Sequence, residues 1–298
     1  MSVGEVLFNY VYQFLDSMSF LIIAAVGMAI IYGMMGLINL AHGEYVMLGA
    51  YITTLTAKAG VWLPVAILCG ALGVAVWGGI VNQLIMSRLR GRPLDSVVTS
   101  WGVSLIMSQG VLVIFGPSML GLSTPMGSFN VGKLSYSTYR VFLAVFAVAL
   151  LIGLWALFKH TKFGLHSRAT MQNSEIAYAL GVDSNRMYLL TYMLGSALAG
   201  LCGGLYAPTM SIVPTIGSSF MVQSFVTVVV GGSEPILGTL FSGMGLGVVN
   251  SVLSQKYGTL IGKIGMLLVA IVFIRILPDG FSGLIDRYRL KARKTDET

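Results

Sequence analysis

The sequence predicts an all-α, polytopic integral membrane protein: a helical bundle of about eight or nine membrane segments, broken and short helices included. Composition comes first: the 298 residues are 56% hydrophobic and only 10% charged, with mean hydropathy +0.84, where soluble domains carry roughly a quarter charged residues. Next, apolar runs recur along the whole chain, with Lys and Arg gathered between them. Finally, two of those runs are interrupted by Gly-containing polar breaks that each hold one Glu, near residues 40 and 233. The chain reads as one transmembrane domain over 1–298.

Taken in order, residues 1–16 hold Glu5 and Asp16 among aromatics and read as a short interfacial segment. The first span is expected over 17–38, close to the roughly 20 residues a bilayer needs. No Lys or Arg precedes Lys58, so the basic n-region of a cleaved signal peptide is not seen and the first apolar segment is expected to stay as a span. A shorter apolar piece follows over 45–56, then a long one over 62–86. Arg88, Arg90 and Arg92 form the first basic cluster, cytoplasmic by the positive-inside rule. The crossings before it place the amino terminus outside the cytoplasm.

Residues 96–116 make the next span, 117–138 an extracytoplasmic loop with the single charge Lys133, and 139–158 a further span. The longest polar connection, 159–186, carries Lys159, Lys162, Arg168 and Arg186 with His160 and His166, a basic excess that again indicates cytoplasm. The span 187–206 holds Gly195, Ala199 and Gly203 four residues apart, a spacing that lets a neighbouring helix approach closely. A half-length apolar piece, 220–230, breaks at Gly231, Gly232, Ser233, Glu234 and Pro235. A Gly-rich helix and a final span over 259–277 follow. The tail 285–298 contains five basic residues from Arg287 to Lys294 and is placed in the cytoplasm. Nine passes satisfy an outside start and an inside end.

The first break holds the main site candidates. Asn39, His42 and Glu44 lie between long apolar stretches, and a carboxylate at membrane depth persists only where it faces protein or a water-lined cavity. Glu44 reads either as a pathway or gating group or as a cap for the helix starting near residue 45. Asn39 is able to bond substrate or the backbone freed by the break, the second being the commoner use. His42 reads as a buried histidine bridging helices or as a group titrating near neutrality. Gln109 and Gln223, amides inside apolar segments, read as path lining or as interhelical glue.

Enzyme chemistry is not expected. No phosphate-binding loop has the required spacing, and three His and two Cys show no metal-ligand pattern. The cytoplasmic connection carries a different signal. Residues 174–183 read as a short helix capped by Ser174 or Asn173, with Glu175 at its positive end, small Ala177 and Ala179, and Gly181 as its stop. Such a helix is either a solvated loop helix or a grip for a soluble partner.

At this point the motifs acquire a family. Glu175, Ala177 and Gly181, preceded by Gly164, Arg168 and Ala169, resemble the coupling loop of permeases of ABC importers of the branched-chain amino acid type. The run Ile38-Asn39-Leu40-Ala41-His42-Gly43-Glu44, with Met47 to Tyr51, resembles that group's most recognisable motif. Within the group, Gly91 to Asp95 followed by Thr99 to Leu105, and Thr170-Met171-Gln172-Asn173, resemble the urea-type permeases more than the leucine-type ones. Glu234 departs from the family pattern at the second break.

The resemblance implies half of a translocation path in the cell (inner or plasma) membrane, for urea or short-chain amides, with branched-chain amino acids as the alternative. The implied partners are a second homologous permease, two ATPase subunits that bind the ATP, and an extracytoplasmic binding protein. No metal, cofactor or nucleic acid is implied for this chain. An ion-coupled secondary transporter or a urea channel is the remoter reading, since such proteins need no ATPase.

Overall fold

The computed structural model describes residues 3–132, 134–232, 234–277 and 280–283. Among them the chain forms α1 (Val3–Met35), α2 (His42–Lys58), α3 (Leu63–Leu84), α4 (Pro93–Phe115), α5 (Thr138–His160), α6 (Lys162–Gln172), α7 (Ser174–Ala179), α8 (Ser184–Tyr206), α9 (Ile216–Gly231), α10 (Pro235–Tyr257) and α11 (Thr259–Ile276). A hairpin of β1 (Ser128–Val131) and β2 (Leu134–Ser137) precedes α5. Each apolar segment expected from the sequence coincides with a helix. Seven are long and apolar enough to cross a bilayer, and α2 and α9, at 17 and 16 residues, are the short ones. The fold is all-α and polytopic, as the composition required.

The helices divide into two compact units. The first comprises Met1–Ala25, Met126–Leu151 and Phe225–Thr298. Its apolar core joins Leu21 of α1, Val230 of α9, Leu246 of α10, and Met266 and Ala270 of α11. The hairpin packs on the start of α1: Tyr12 Oη donates to the Ser137 carbonyl at 3.1 Å and accepts from the Ser137 amide at 3.0 Å. The Tyr136 ring stands edge-on to Phe8 and Tyr12, and an Arg140–Asp16 ion pair at 2.6 Å lies close by.

Those contacts correct two expectations. Of the segment 1–16, the described residues 3–16 are not a separate interfacial segment but the first part of α1, which runs unbroken to Met35. No Pro interrupts that stretch, and Asp16, the acid that suggested an interface, is paired with Arg140. Likewise, 117–138 is not loop throughout, because 128–137 alternates into a hairpin with Tyr136 buried. Lys133, Ser233, Pro278, Asp279 and the basic tail 285–298 lie outside the described residues.

The second unit, Val26–Pro125 and Ile152–Ser224, is built around α8, which packs against both α2 and α3. The approach is close because glycines meet backbone. A Cβ on Gly203 would strike the Val46 carbonyl, one on Gly49 would strike Gly200, and one on Gly78 would strike the Ser196 side chain. Without water between helices, such contact supplies dispersion and interhelical bonding that larger side chains would prevent. The small-residue spacing of the 187–206 span is therefore packing. Met47, Ala50 and Tyr51 of α2 meet Val111 of α4, Ala207 and Ile212 in one apolar cluster.

Candidate functional site

Apolar sequence carries α1 to Met35, and Gly36, at φ +63°, turns the chain out of the helix. Residues 36–41 then return it to α2, which starts at His42. The backbone amides of that turn find partners from side chains. The Asn39 Oδ1 accepts from the Ala41 amide at 3.0 Å, and Ser100 Oγ on α4 accepts from the Leu40 amide at 3.0 Å. Asn39 thus bonds freed backbone, while its Nδ2 donates to Tyr192 Oη on α8 at 3.0 Å. Tyr192 and Tyr45 share a further hydroxyl–hydroxyl bond of 3.0 Å. All three side chains are buried, and burial makes each partner hard to replace.

Glu44 sits in the first turn of α2 and leaves only 4% of its surface exposed. It is not the helix cap: no side chain caps α2 at Ala41, and the Glu44 carboxylate instead accepts from Ser104 Oγ through Oε1 at 3.1 Å. Its other oxygen, Oε2, has no hydrogen-bond partner. That oxygen lies against Gly217, in the first turn of α9, where a Cβ would overlap the carboxylate. Gly43 in turn lies on the Gly217 carbonyl, so the starts of α2 and α9 meet at two glycines. Helix N-termini carry partial positive charge of about half a unit each, which offsets the cost of this buried acid.

Of the other candidates, His42 is fully buried with its ring beside Gly27. Gln223 is buried further along α9, whereas Gln109 lies on the exposed face of α4. The structure therefore gathers Asn39, His42 and Glu44 within one turn and leaves Gln109 outside it. Tyr45, Tyr192, Ser100, Ser104 and Gly217 complete the arrangement without having been singled out. Ser100 and Ser104, one helical turn apart on α4, carried the one usable signal, since that spacing puts both on one face. Among the described residues no three His, Cys, Asp or Glu side chains stand close enough to hold a metal ion.

At the other candidate region, 159–186 folds as two helices where one was expected. Thr161 caps α6 by accepting from the Gly164 amide at 3.2 Å. Asn173 caps α7, its Oδ1 accepting from the Glu175 and Ile176 amides at 3.0 Å each. The short helix ends at Ala179, and Gly181 at φ +89° is its stop, as the sequence indicated: the Gly181 amide bonds the Tyr178 carbonyl and the Val182 amide bonds the Ala177 carbonyl. Ala177 is buried beneath the helix; Ile176, Tyr178 and Leu180 face outward at 59%, 69% and 80% exposure, and Arg168 is exposed on α6. The outward surface of α7 and of Leu180 just after it therefore carries three large apolar side chains beside the exposed Glu175 and Ala179. Glu175 lines a cleft of about 630 Å³ with Arg90, Tyr178, Asn185 and Tyr188. Inside it Arg90 donates to Asn185 Oδ1 at 2.6 Å and stacks on Tyr188.

Known proteins share this plan. The family described as "Branched-chain amino acid transport system / permease component" matches residues 10–277. The chain is 31% identical over 292 residues to a "Probable branched-chain amino acid transport permease protein LivH" of Methanocaldococcus jannaschii, covering 91% of this chain and 90% of that one. It is 25% identical to the high-affinity branched-chain amino acid permease BraD of Pseudomonas aeruginosa, covering 90% and 94%. Among solved structures, PsaBC from Streptococcus pneumoniae in complex with Fab is similar in fold, with TM-score 0.52 at 15% identity over 90% of each chain. These relatives are transport permeases, not enzymes. The chain belongs to the family of permease components of branched-chain amino acid transport systems.

Proposed function

We propose that this chain forms half of the membrane path of an ATP-driven importer of branched-chain amino acids. The observation that carries the substrate is the near full-length similarity to LivH and BraD, whose names specify branched-chain amino acids. Urea, the first expectation from the 91–105 and 170–173 motifs, is not what the LivH and BraD relatives are named for, and gives way to the alternative. The partners are a second homologous permease, two ATPase subunits and an extracytoplasmic binding protein. The chain sits in the inner membrane with its amino terminus outside and its carboxyl terminus in the cytoplasm, which suits the basic clusters.

In this reading α7 docks on an ATPase subunit through Ile176, Tyr178 and Leu180, apolar side chains whose exposure beside a charged loop suits a protein contact. Asn39, His42, Glu44 and Gln223 belong to the path or its gate. Gln109, on an exposed face, would reach the path only through a partner. The test is ATP hydrolysis by the reconstituted complex with its own binding protein. Leucine-loaded binding protein is expected to stimulate hydrolysis and urea-loaded protein not to; the reverse pattern would reject the amino-acid reading.

A further inference from the structure

Glu44 is held more tightly than it is satisfied. Its Oε1 takes the Ser104 hydroxyl, yet Oε2 accepts from no group while the residue is 96% buried, from its 4% exposure. A carboxylate kept only to complete a helix start would bond backbone amides. Here Asn39 takes the Ala41 amide just ahead of α2, no side chain caps the helix itself, and the Glu44 carboxylate takes a serine hydroxyl. No ion pair involves Glu44 among the described residues. What balances its charge is the meeting of two helix starts, α2 at His42 and α9 at Ile216. The result is a buried carboxyl with one oxygen left over, at a glycine-to-glycine contact between two short helices.

Discontinuous helices whose ends converge inside a bundle are a recurrent way to build a transport site. A leftover carboxylate oxygen at such a point calls for an N–H donor, and a cationic one gains most because the charge–charge term is strong where water is excluded. We infer that Oε2 of Glu44 is the station at which the path holds the ammonium group of an amino-acid substrate. This rests on the amino-acid reading above. Gly217 lies against this carboxylate, so access for the substrate would need α9 to shift from α2 at that contact. The substrate's carboxylate is not the group bound here, since Glu44 already occupies the place between the two helix starts.

The test is leucine uptake into proteoliposomes holding the full complex, scored as leucine moved per ATP hydrolysed. Glu44→Gln keeps the size of the side chain and an oxygen for Ser104, but puts an amide donor where Oε2 stood. The ratio is expected to fall at least tenfold. Glu44→Asp and Glu44→Asn form a second pair of nearly equal size that differs in charge and in one oxygen replaced by an amide donor, and Asp is expected to move several times more leucine per ATP than Asn. A Gln variant with the wild-type ratio, or Asp and Asn variants that behave alike, overturns the proposal and assigns Glu44 a packing role. If the wild-type complex moves no leucine at all, the amino-acid reading itself fails, and the ammonium station falls with it.

Discussion

Tyr192 shows how much rests on single hydroxyls in this interior. It accepts from Asn39 and bonds Tyr45, so Tyr192→Phe removes two buried bonds, whereas Tyr45→Phe removes one and leaves Tyr192 still bonded to Asn39. An orphaned buried polar group costs about 1–3 kcal/mol. Tyr192→Phe is therefore expected to lower the melting temperature of the purified permease more than Tyr45→Phe does. Equal shifts would mean that the cluster is not organised around Tyr192. At this scale the sequence was partly legible. Asn39, His42 and Glu44 stand out because polar groups inside an apolar run need a reason to be there. Tyr192 does not stand out, because hydroxyl side chains are ordinary in membrane helices, and the two serines show only their one-turn spacing. Their partners lie far away in the chain, 153 residues from Tyr192 to Asn39 and 60 from Ser104 to Glu44.

Among the elements, α7 is the clearest case of local chemistry deciding structure. Six residues cannot hold a helix by themselves, yet both ends are closed, by Asn173 at the start and by Gly181 at the stop. Asn173→Ala removes a cap worth about 1 kcal/mol. Gly181→Val forces a β-branched residue to a positive φ, at a cost of roughly 1–2 kcal/mol. Both substitutions are expected to reduce ATP hydrolysis stimulated by loaded binding protein, with Gly181→Val the stronger, while the permease still elutes as a folded species in size-exclusion chromatography. Full stimulation in the Gly181→Val variant would contradict docking through α7. The caps were readable because they depend on neighbours in sequence. By contrast, α1 was read too short and α6 was missed. In α1 the acid that suggested an interface meets a partner far along the chain, Arg140, and the start of α6 turns on the single hydroxyl of Thr161.

For the whole molecule, hydropathy located every helix long enough to matter, since an apolar run of span length has few other fates. The division into two units was not visible, because it depends on which helices pack together rather than on where each begins. Substrate was the least legible property: the neutral amides in the apolar segments suited urea as well as leucine, and it is the comparison with LivH and BraD that favours the amino acid. The most direct measurement is uptake of radiolabelled leucine and of radiolabelled urea into proteoliposomes containing the permease pair and both ATPase subunits, with binding protein on one side and ATP on the other. The account predicts ATP-dependent accumulation of leucine and none of urea. Accumulation of urea without leucine, or leucine entry that needs no ATP, would contradict it.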